Sequence, residues 1–211
     1  MQQPIWLASY PRSGNTLLRT VLWQCLGLRS ASIYPNDLGG NQPLSEYVGH
    51  IEYGSDRRHR FPMGNPNLLK THEPPADDRP AIYVVRDGRA ACVSLWEFYN
   101  RSLPLENVIQ GGHRFGTWSA HLQAWKPWKR PHTLLLRYED IVNDLPRVLK
   151  HLSALLGAEI RTTKLPPREE IASSDGRWVR KKTDWKQVYS PEQLALFYTV
   201  NKSMMKRLGY R

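Results

Sequence analysis

Apolar and β-branched residues gather in short runs along the chain, each closed by polar or glycine-containing residues. Pro4-Ile5-Trp6-Leu7-Ala8-Ser9 reads as a short buried strand. Leu68-Leu69-Lys70-Thr71, Ala81-Ile82-Tyr83-Val84-Val85 and Thr133-Leu134-Leu135-Leu136-Arg137 read as three more. Between them the period becomes helical. Leu17, Leu18, Val21, Leu22, Cys25 and Leu26 mark one face of a helix. Asp87 is a good N-cap for another, and a third is expected near Phe115 to Trp128. Helical segments follow the last strand to about Leu156. Ser190-Pro191-Glu192-Gln193 has the form of a capping box with Pro at the first helical position, opening a helix that ends at Gly209. Residues 29 to 66 are rich in Gly, Pro, Asn and Ser and read as irregular.

Strands alternating with helices imply βαβ units and a mostly parallel sheet, so the expected class is α/β, with residues 1–211 as one domain. In such sheets ligands bind beyond the carboxyl ends of the strands, which directs attention to the residues just after each run. After the first run comes Tyr10-Pro11-Arg12-Ser13-Gly14-Asn15-Thr16, a loop entering a helix. Backbone N–H groups at a helix start favour phosphate, Gly14 permits close approach, and Arg12 adds a permanent charge. Ser13, Asn15 and Thr16 add donors. A Gly-x-x-x-x-Gly-Lys-Ser/Thr loop is absent, which argues against an ATP kinase. After the second run comes His72, beside Lys70 and Thr71, with an ordinary pKa of about 6.5 suited to proton removal. At the end of the third stands Arg86, and Ser94 lies two helical turns on. A guanidinium and a hydroxyl facing one space suit a terminal phosphate.

Charge narrows the partner. A formal net charge of +11 favours an anionic partner, either a polyanionic small molecule or nucleic acid. Arg57-Arg58-His59-Arg60 is the best local basic run for nucleic acid, but it reads instead as a solvated loop face or as part of an acceptor site for an anionic molecule. No apolar run approaches the roughly 20 residues needed to span a membrane. Met1-Gln2-Gln3-Pro4 carries no basic n-region, and the two cysteines, Cys25 and Cys92, fall in apolar helical patterns that suit buried thiols. The expectation is a cytoplasmic enzyme. No His/Cys/Asp cluster has metal-ligand spacing, so no metal is expected.

Taken in order, these segments resemble the sulfotransferases that use 3′-phosphoadenosine 5′-phosphosulfate (PAPS). Residues 10–16 look like that family's 5′-phosphosulfate loop, Lys70-Thr71-His72 like its Lys-Thr-His, and Arg86 with Ser94 like its 3′-phosphate motif. Gly116-Thr117-Trp118-Ser119-Ala120-His121, Arg137-Tyr138-Glu139-Asp140, and Arg180-Lys181 with Asp184-Trp185-Lys186 following, resemble three further landmarks. Arg12 stands where cytosolic members carry Lys, Leu17 where they carry Trp, and Lys182 where they carry Gly. The family's dimer motif would fall on residues 186–195, where Ser190-Pro191 and Ala195 depart from it, leaving the oligomeric state unknown.

The resemblance implies a three-layer α/β/α, P-loop-NTPase-like fold and sulfuryl transfer from PAPS to a hydroxyl of a small molecule or glycan. It implies His72 as general base, with Arg12 and Lys70 at the transferred group. Ser13, Gly14, Asn15, Thr16 and Leu17 would hold the 5′ side, Arg86, Ser94, Arg180 and Lys181 the 3′-phosphate, and Tyr138 the adenine. The rivals are a P-loop nucleoside or nucleotide kinase, marked by magnesium-dependent ATP turnover, and a non-catalytic nucleic-acid-binding protein, marked by salt-steep duplex binding. Residues 29 to 66 and 97 to 115 are left to form an acceptor rim, and they contain Tyr34, Tyr47, Tyr53, Phe61, Phe98, Tyr99 and Phe115.

Overall fold

A computed structural model of the chain describes residues 3–56, 58–174 and 183–210. Among them, strands β1 (Ile5–Ser9), β2 (Ser30–Ser32), β3 (Leu68–Thr71), β4 (Ala81–Val85) and β5 (Thr133–Arg137) form one sheet in the order β2-β3-β1-β4-β5. Every pairing is parallel. All four runs read as strands are strands, with the first beginning at Ile5 rather than Pro4.

Both faces of the sheet are covered, because the strands are apolar on both sides. On β4, Ile82 and Val84 point to one core with α1 (Asn15–Leu26) and α7 (Leu145–Leu156). Ala81, Tyr83 and Val85 point to the other, with α3 (Gly88–Phe98), α5 (Trp118–Trp125) and α9 (Pro191–Arg207). The result is three layers. The α9 start is the expected capping box: the Ser190 hydroxyl accepts from Gln193 N–H, and the Gln193 side chain accepts from Ser190 N–H. The helix expected from Phe115 begins at Trp118, because the Thr117 hydroxyl caps it by accepting from Ala120 N–H at 2.9 Å.

Residues 29 to 66 are not wholly irregular. They hold β2, a 3-10 turn at Asp37–Gly40 and α2 (Gln42–Val48), capped by the Asn41 side chain. Shorter helices complete the described chain: α4 (Leu105–Ile109), α6 (Tyr138–Asn143) and α8 (Arg168–Ser174). No helix among the described residues is long and apolar enough to cross a membrane.

A buried ionic cluster ties the β2–β3 side of the sheet to α1. Arg19, fully buried on α1, donates to Asp37 at 2.5 Å and to the Ser30 hydroxyl of β2 at 2.8 Å. Lys70 on β3 donates to the other Asp37 oxygen at 2.5 Å, and a ring nitrogen of His50 lies 2.7 Å from Arg19. The two cations hold the Asp37 carboxyl ionised far below the usual carboxylate range, against the opposing effect of burial. A depressed carboxylate pKa contributes stability that is present above the unfolded value and lost as pH falls towards the folded one.

Removing one member of a buried ion pair leaves its partner uncompensated, at about 3–5 kcal/mol. Asp37→Asn is therefore expected to lower the unfolding free energy by about that amount at pH 7, read from urea denaturation. A loss below about 1 kcal/mol would mean that Arg19 and Lys70 find water instead.

Candidate active site

The carboxyl ends of β1, β3 and β4 open into a cavity of about 610 Å³. Arg12, Gly14, Asn15, Thr16 and Leu17 line it from the first loop, and Lys70 and His72 from the end of β3. Arg86 and Ser94 reach it from either side of the α3 start, and Tyr138 from the start of α6. Side chains from four separate segments, up to 126 residues apart in sequence between Arg12 and Tyr138, thus surround one space. Ser13 lies behind the lining, fully buried, its hydroxyl oxygen without a hydrogen-bond partner. Arg180 and Lys181 fall outside the described residues.

The loop is shaped by two left-handed residues, Arg12 (φ 63°) and Gly14 (φ 107°). A left-handed arginine is strained, and such strain persists where surrounding contacts enforce it. Here the Arg12 carbonyl accepts from Arg86 at 3.1 Å, and its Nε donates to the Ser94 hydroxyl at 3.3 Å. Gly14 is required on two counts: its φ suits glycine, and a Cβ there would come within 2.6 Å of the Tyr138 ring. Gly14 is also the N-cap of α1 and offers no side-chain cap. The first N–H groups of any helix lack intrahelical partners, here no side chain of the N-cap satisfies them, and Gly14, Asn15 and Thr16 line the cavity, an arrangement suited to an anion.

Asn15 does not present its side chain to a ligand, as the sequence reading expected. Its amide donates to the Leu7 carbonyl at 2.9 Å and to the Ser9 hydroxyl at 3.4 Å, pinning the loop to β1. Its backbone N–H is what it can offer. Leu17, expected on the buried face of α1, is only partly buried and lines the cavity. The Arg86 guanidinium lies over the Tyr138 ring, 4.5 Å from its centroid, and that of Arg12 over Phe98 at 5.1 Å. These two guanidiniums make the centre of the cavity strongly attractive to negative charge.

His72 is anchored through three atoms. Its Nδ1 lies 2.8 Å from the Ser9 carbonyl, which can only accept, so Nδ1 carries the proton and Nε2 is left as the basic nitrogen. Its backbone N–H donates to the Tyr34 hydroxyl at 2.9 Å. Its carbonyl lies 2.9 Å from His121 Nε2. Desolvation first, and then the charge of Lys70, push the His72 imidazole well below its ordinary pKa of 6.5, so it is neutral at pH 7.

Lys70 reaches the cavity as half of an ion pair with Asp37, which also lines it. The sequence reading missed Asp37 and Arg19. The available signal was an arginine set among the apolar positions of a helix, which calls for a buried acid. It also missed Arg114, which donates to Glu73 at 2.6 Å at the cavity rim and lies 5.7 Å from the Tyr34 ring centroid. Of the seven aromatics expected at the rim, Tyr34, Phe98, Tyr99 and Phe115 line the cavity, whereas Tyr47, Tyr53 and Phe61 do not. Among the described residues no group of three or more His, Cys, Asp or Glu is arranged to hold a metal ion. Cys25 and Cys92 are free and buried, as expected.

This geometry can be set beside known proteins. Sulfotransferase 4A1 of Mus musculus is 27% identical over 183 residues, covering 76% of this chain and 62% of that protein. Cytosolic sulfotransferase 3 of Arabidopsis thaliana is 27% identical over 175 residues, covering 72% of this chain and 52% of that protein. The chain thus spans between about half and two thirds of the length of these relatives. In fold it resembles mouse sulfotransferase SULT7A1, solved in complex with PAP, at a TM-score of 0.66 and 20% identity over 97% of this chain and 84% of that one. It likewise resembles retinol dehydratase, solved in complex with retinol and PAP, at 0.65 and 18% over 96% and 81%. The expected P-loop-NTPase-like, three-layer sulfotransferase fold is the observed one. Residues 2–173 match the family model described as the sulfotransferase domain, and to that family this chain belongs.

Proposed function

We propose that the chain transfers a sulfuryl group from PAPS to a hydroxyl of a small-molecule or glycan acceptor. One observation carries this reading: a neutral imidazole, its Nε2 left basic by the Nδ1 bond to Ser9, lines the same cavity as the uncapped start of α1 and the guanidiniums of Arg12 and Arg86. A proton acceptor and a double anion site are what hydroxyl attack on an anionic donor requires. The fit to a nucleotide with two separate phosphates rests on the loop's orphan donors at one place and on Arg86 with Ser94 at another. Crystallised complexes of fold relatives with PAP support the same donor.

The donor supplies a sulfuryl group on its 5′-phosphate. On this reading His72 Nε2 takes the acceptor proton as the acceptor oxygen bonds to sulfur. The bond from sulfur to the bridging phosphate oxygen breaks, and Arg12 stabilises the charge that builds there. Lys70, held by Asp37, brings a further positive charge to the reacting end. The residue 13–16 backbone holds the 5′-phosphate, and Leu17 borders it. Arg86 and Ser94 hold the 3′-phosphate together with Arg180 and Lys181, and Tyr138 packs against the adenine. The aromatic rim of Tyr34, Phe98, Tyr99 and Phe115 receives the acceptor.

The donor assignment is tested by calorimetry. PAP should bind far more tightly than ATP; equal or tighter ATP binding favours the kinase alternative. Loss of a charge-assisted phosphate contact costs about 1.5–3 kcal/mol, or about 10- to 150-fold. Arg86→Ala should weaken PAP by that factor, and unchanged affinity would put the 3′-phosphate elsewhere.

General-base catalysis is worth about 10²–10⁴-fold. His72→Ala should lower kcat for an alkyl alcohol by at least about 10²-fold with PAP affinity nearly unchanged. Equal turnover, with chemistry rate-limiting, removes His72 from the role.

Because its pKa is lowered, His72 should remain a neutral base down through pH 6.5 in the nucleotide-free protein and protonate only below that. Proton NMR of its Cε1–H reads the midpoint directly. A midpoint at or above 6.5 contradicts the desolvated, Lys70-flanked environment.

A further inference from the structure

His121 lies outside the cavity lining, fully buried on α5. Its hydrogen bonds are fixed by the chemistry of their partners. The His72 carbonyl can only accept, so His121 Nε2 carries a proton and donates to it at 2.9 Å. Burial holds the His121 imidazole neutral, with a pKa lowered to about 4, so its Nδ1 is unprotonated and accepts from the Tyr83 hydroxyl at 2.7 Å. The ring of Tyr10, the residue that opens the phosphate loop, packs edge-on against His121 with centroids 5.8 Å apart. One buried chain of hydrogen bonds therefore runs from Tyr83 of β4 through His121 of α5 to the backbone of His72. A second contact from the same helix reinforces it. One turn further along α5, Trp125 Nε1–H donates to the carbonyl of Glu73 at 2.9 Å. Two side chains four residues apart on one helix face thus clamp two consecutive carbonyls.

A clamp on these carbonyls bears on the imidazole because it completes the anchoring that the Ser9 carbonyl gives Nδ1 and the Tyr34 hydroxyl gives the backbone N–H. It follows the last residue of β3, so the sheet no longer fixes its backbone. A displacement of about 1 Å at a reacting group can cost about 10²-fold in rate.

We propose that His121 is a positioning residue: its Nε2–H bond to the His72 carbonyl holds the His72 imidazole in register with Ser9 and so keeps Nε2 aimed into the cavity. This rests on the reading of His72 as the base. The test therefore has one arm that does not depend on any reaction.

The experiment compares full-length wild type, His121→Gln and His121→Asn. A glutamine amide places an N–H near the Nε2 position and can still reach the His72 carbonyl; an asparagine amide reaches only to the Nδ1 position. Long-range ¹⁵N–¹H NMR of the histidine side chains reads the His72 tautomer. Wild type and His121→Gln should hold the proton on Nδ1, while His121→Asn should give a mixture. Turnover of PAPS with 4-nitrophenol and with benzyl alcohol forms the second arm. His121→Asn should lose about 10–10²-fold in kcat at unchanged PAP affinity, and His121→Gln should stay close to wild type. Unchanged PAP affinity also certifies the fold of each variant. A single Nδ1–H tautomer and wild-type kcat in His121→Asn overturn the proposal. So does a His121→Gln variant as impaired as His121→Asn, since that would mark a packing role. Failure of the base reading looks different: the tautomer pattern follows the expected series while His72→Ala turns over as fast as wild type.

Discussion

The parallel pairing of β1 between β3 and β4 is the constraint from which the site follows. Ala8 lies opposite Thr71, and Ser9 opposite Val84, so the three strands end nearly level. Parallel strands point their carboxyl ends the same way, and the loops that leave them must share one edge. That is why a loop at residue 12, a histidine at 72 and an arginine at 86 meet around one cavity. The bond from His72 Nδ1 to the Ser9 carbonyl crosses from β3 to β1 at this edge. It fixes a tautomer as well as a position, because a carbonyl accepts and does not donate.

Buried and half-buried polar groups behind this edge support it. Asn15 turns back to β1, Glu139 accepts from Asp87 N–H at the α3 start, and Tyr210 donates to the other Glu139 oxygen. Arg19, Asp37 and Lys70 form the heaviest such group. An ion cluster of this kind is a weak source of net stability, since desolvation offsets much of its attraction. After burial, which is the larger effect, the Lys70 ammonium of this cluster favours the neutral His72 imidazole, and the Asp37 carboxylate opposes it.

The strands that carry the site were legible because burial on both faces demands continuous apolar runs, as in Ile5–Ser9 and Ala81–Val85. Their ends, and hence Arg12, His72 and Arg86, could be placed before any geometry was known. β2 was not legible: Ser30–Ser32 contains no large apolar residue, and its pairing with β3 is decided by tertiary contact alone. α2, with seven residues, is too short for a periodic signal, although Asn41 followed by Pro43 was a usable start signal. Asp37 lay in that same stretch, so the partner of Lys70 stayed hidden. The inward turn of Asn15 was equally invisible, because a polar residue at a helix start serves a ligand or a neighbouring carbonyl with the same sequence signature.

The most direct measurement is a crystal structure of the chain with PAP. The 5′-phosphate should sit at the start of α1 on the backbone of residues 13–16, the 3′-phosphate against Arg86 and Ser94, and the adenine beside Tyr138. His72 Nε2 should face the open side of the 5′-phosphate. A nucleotide bound away from the residue 13–16 loop, or with its 5′-phosphate out of reach of a hydroxyl held by His72, would contradict the proposed transfer.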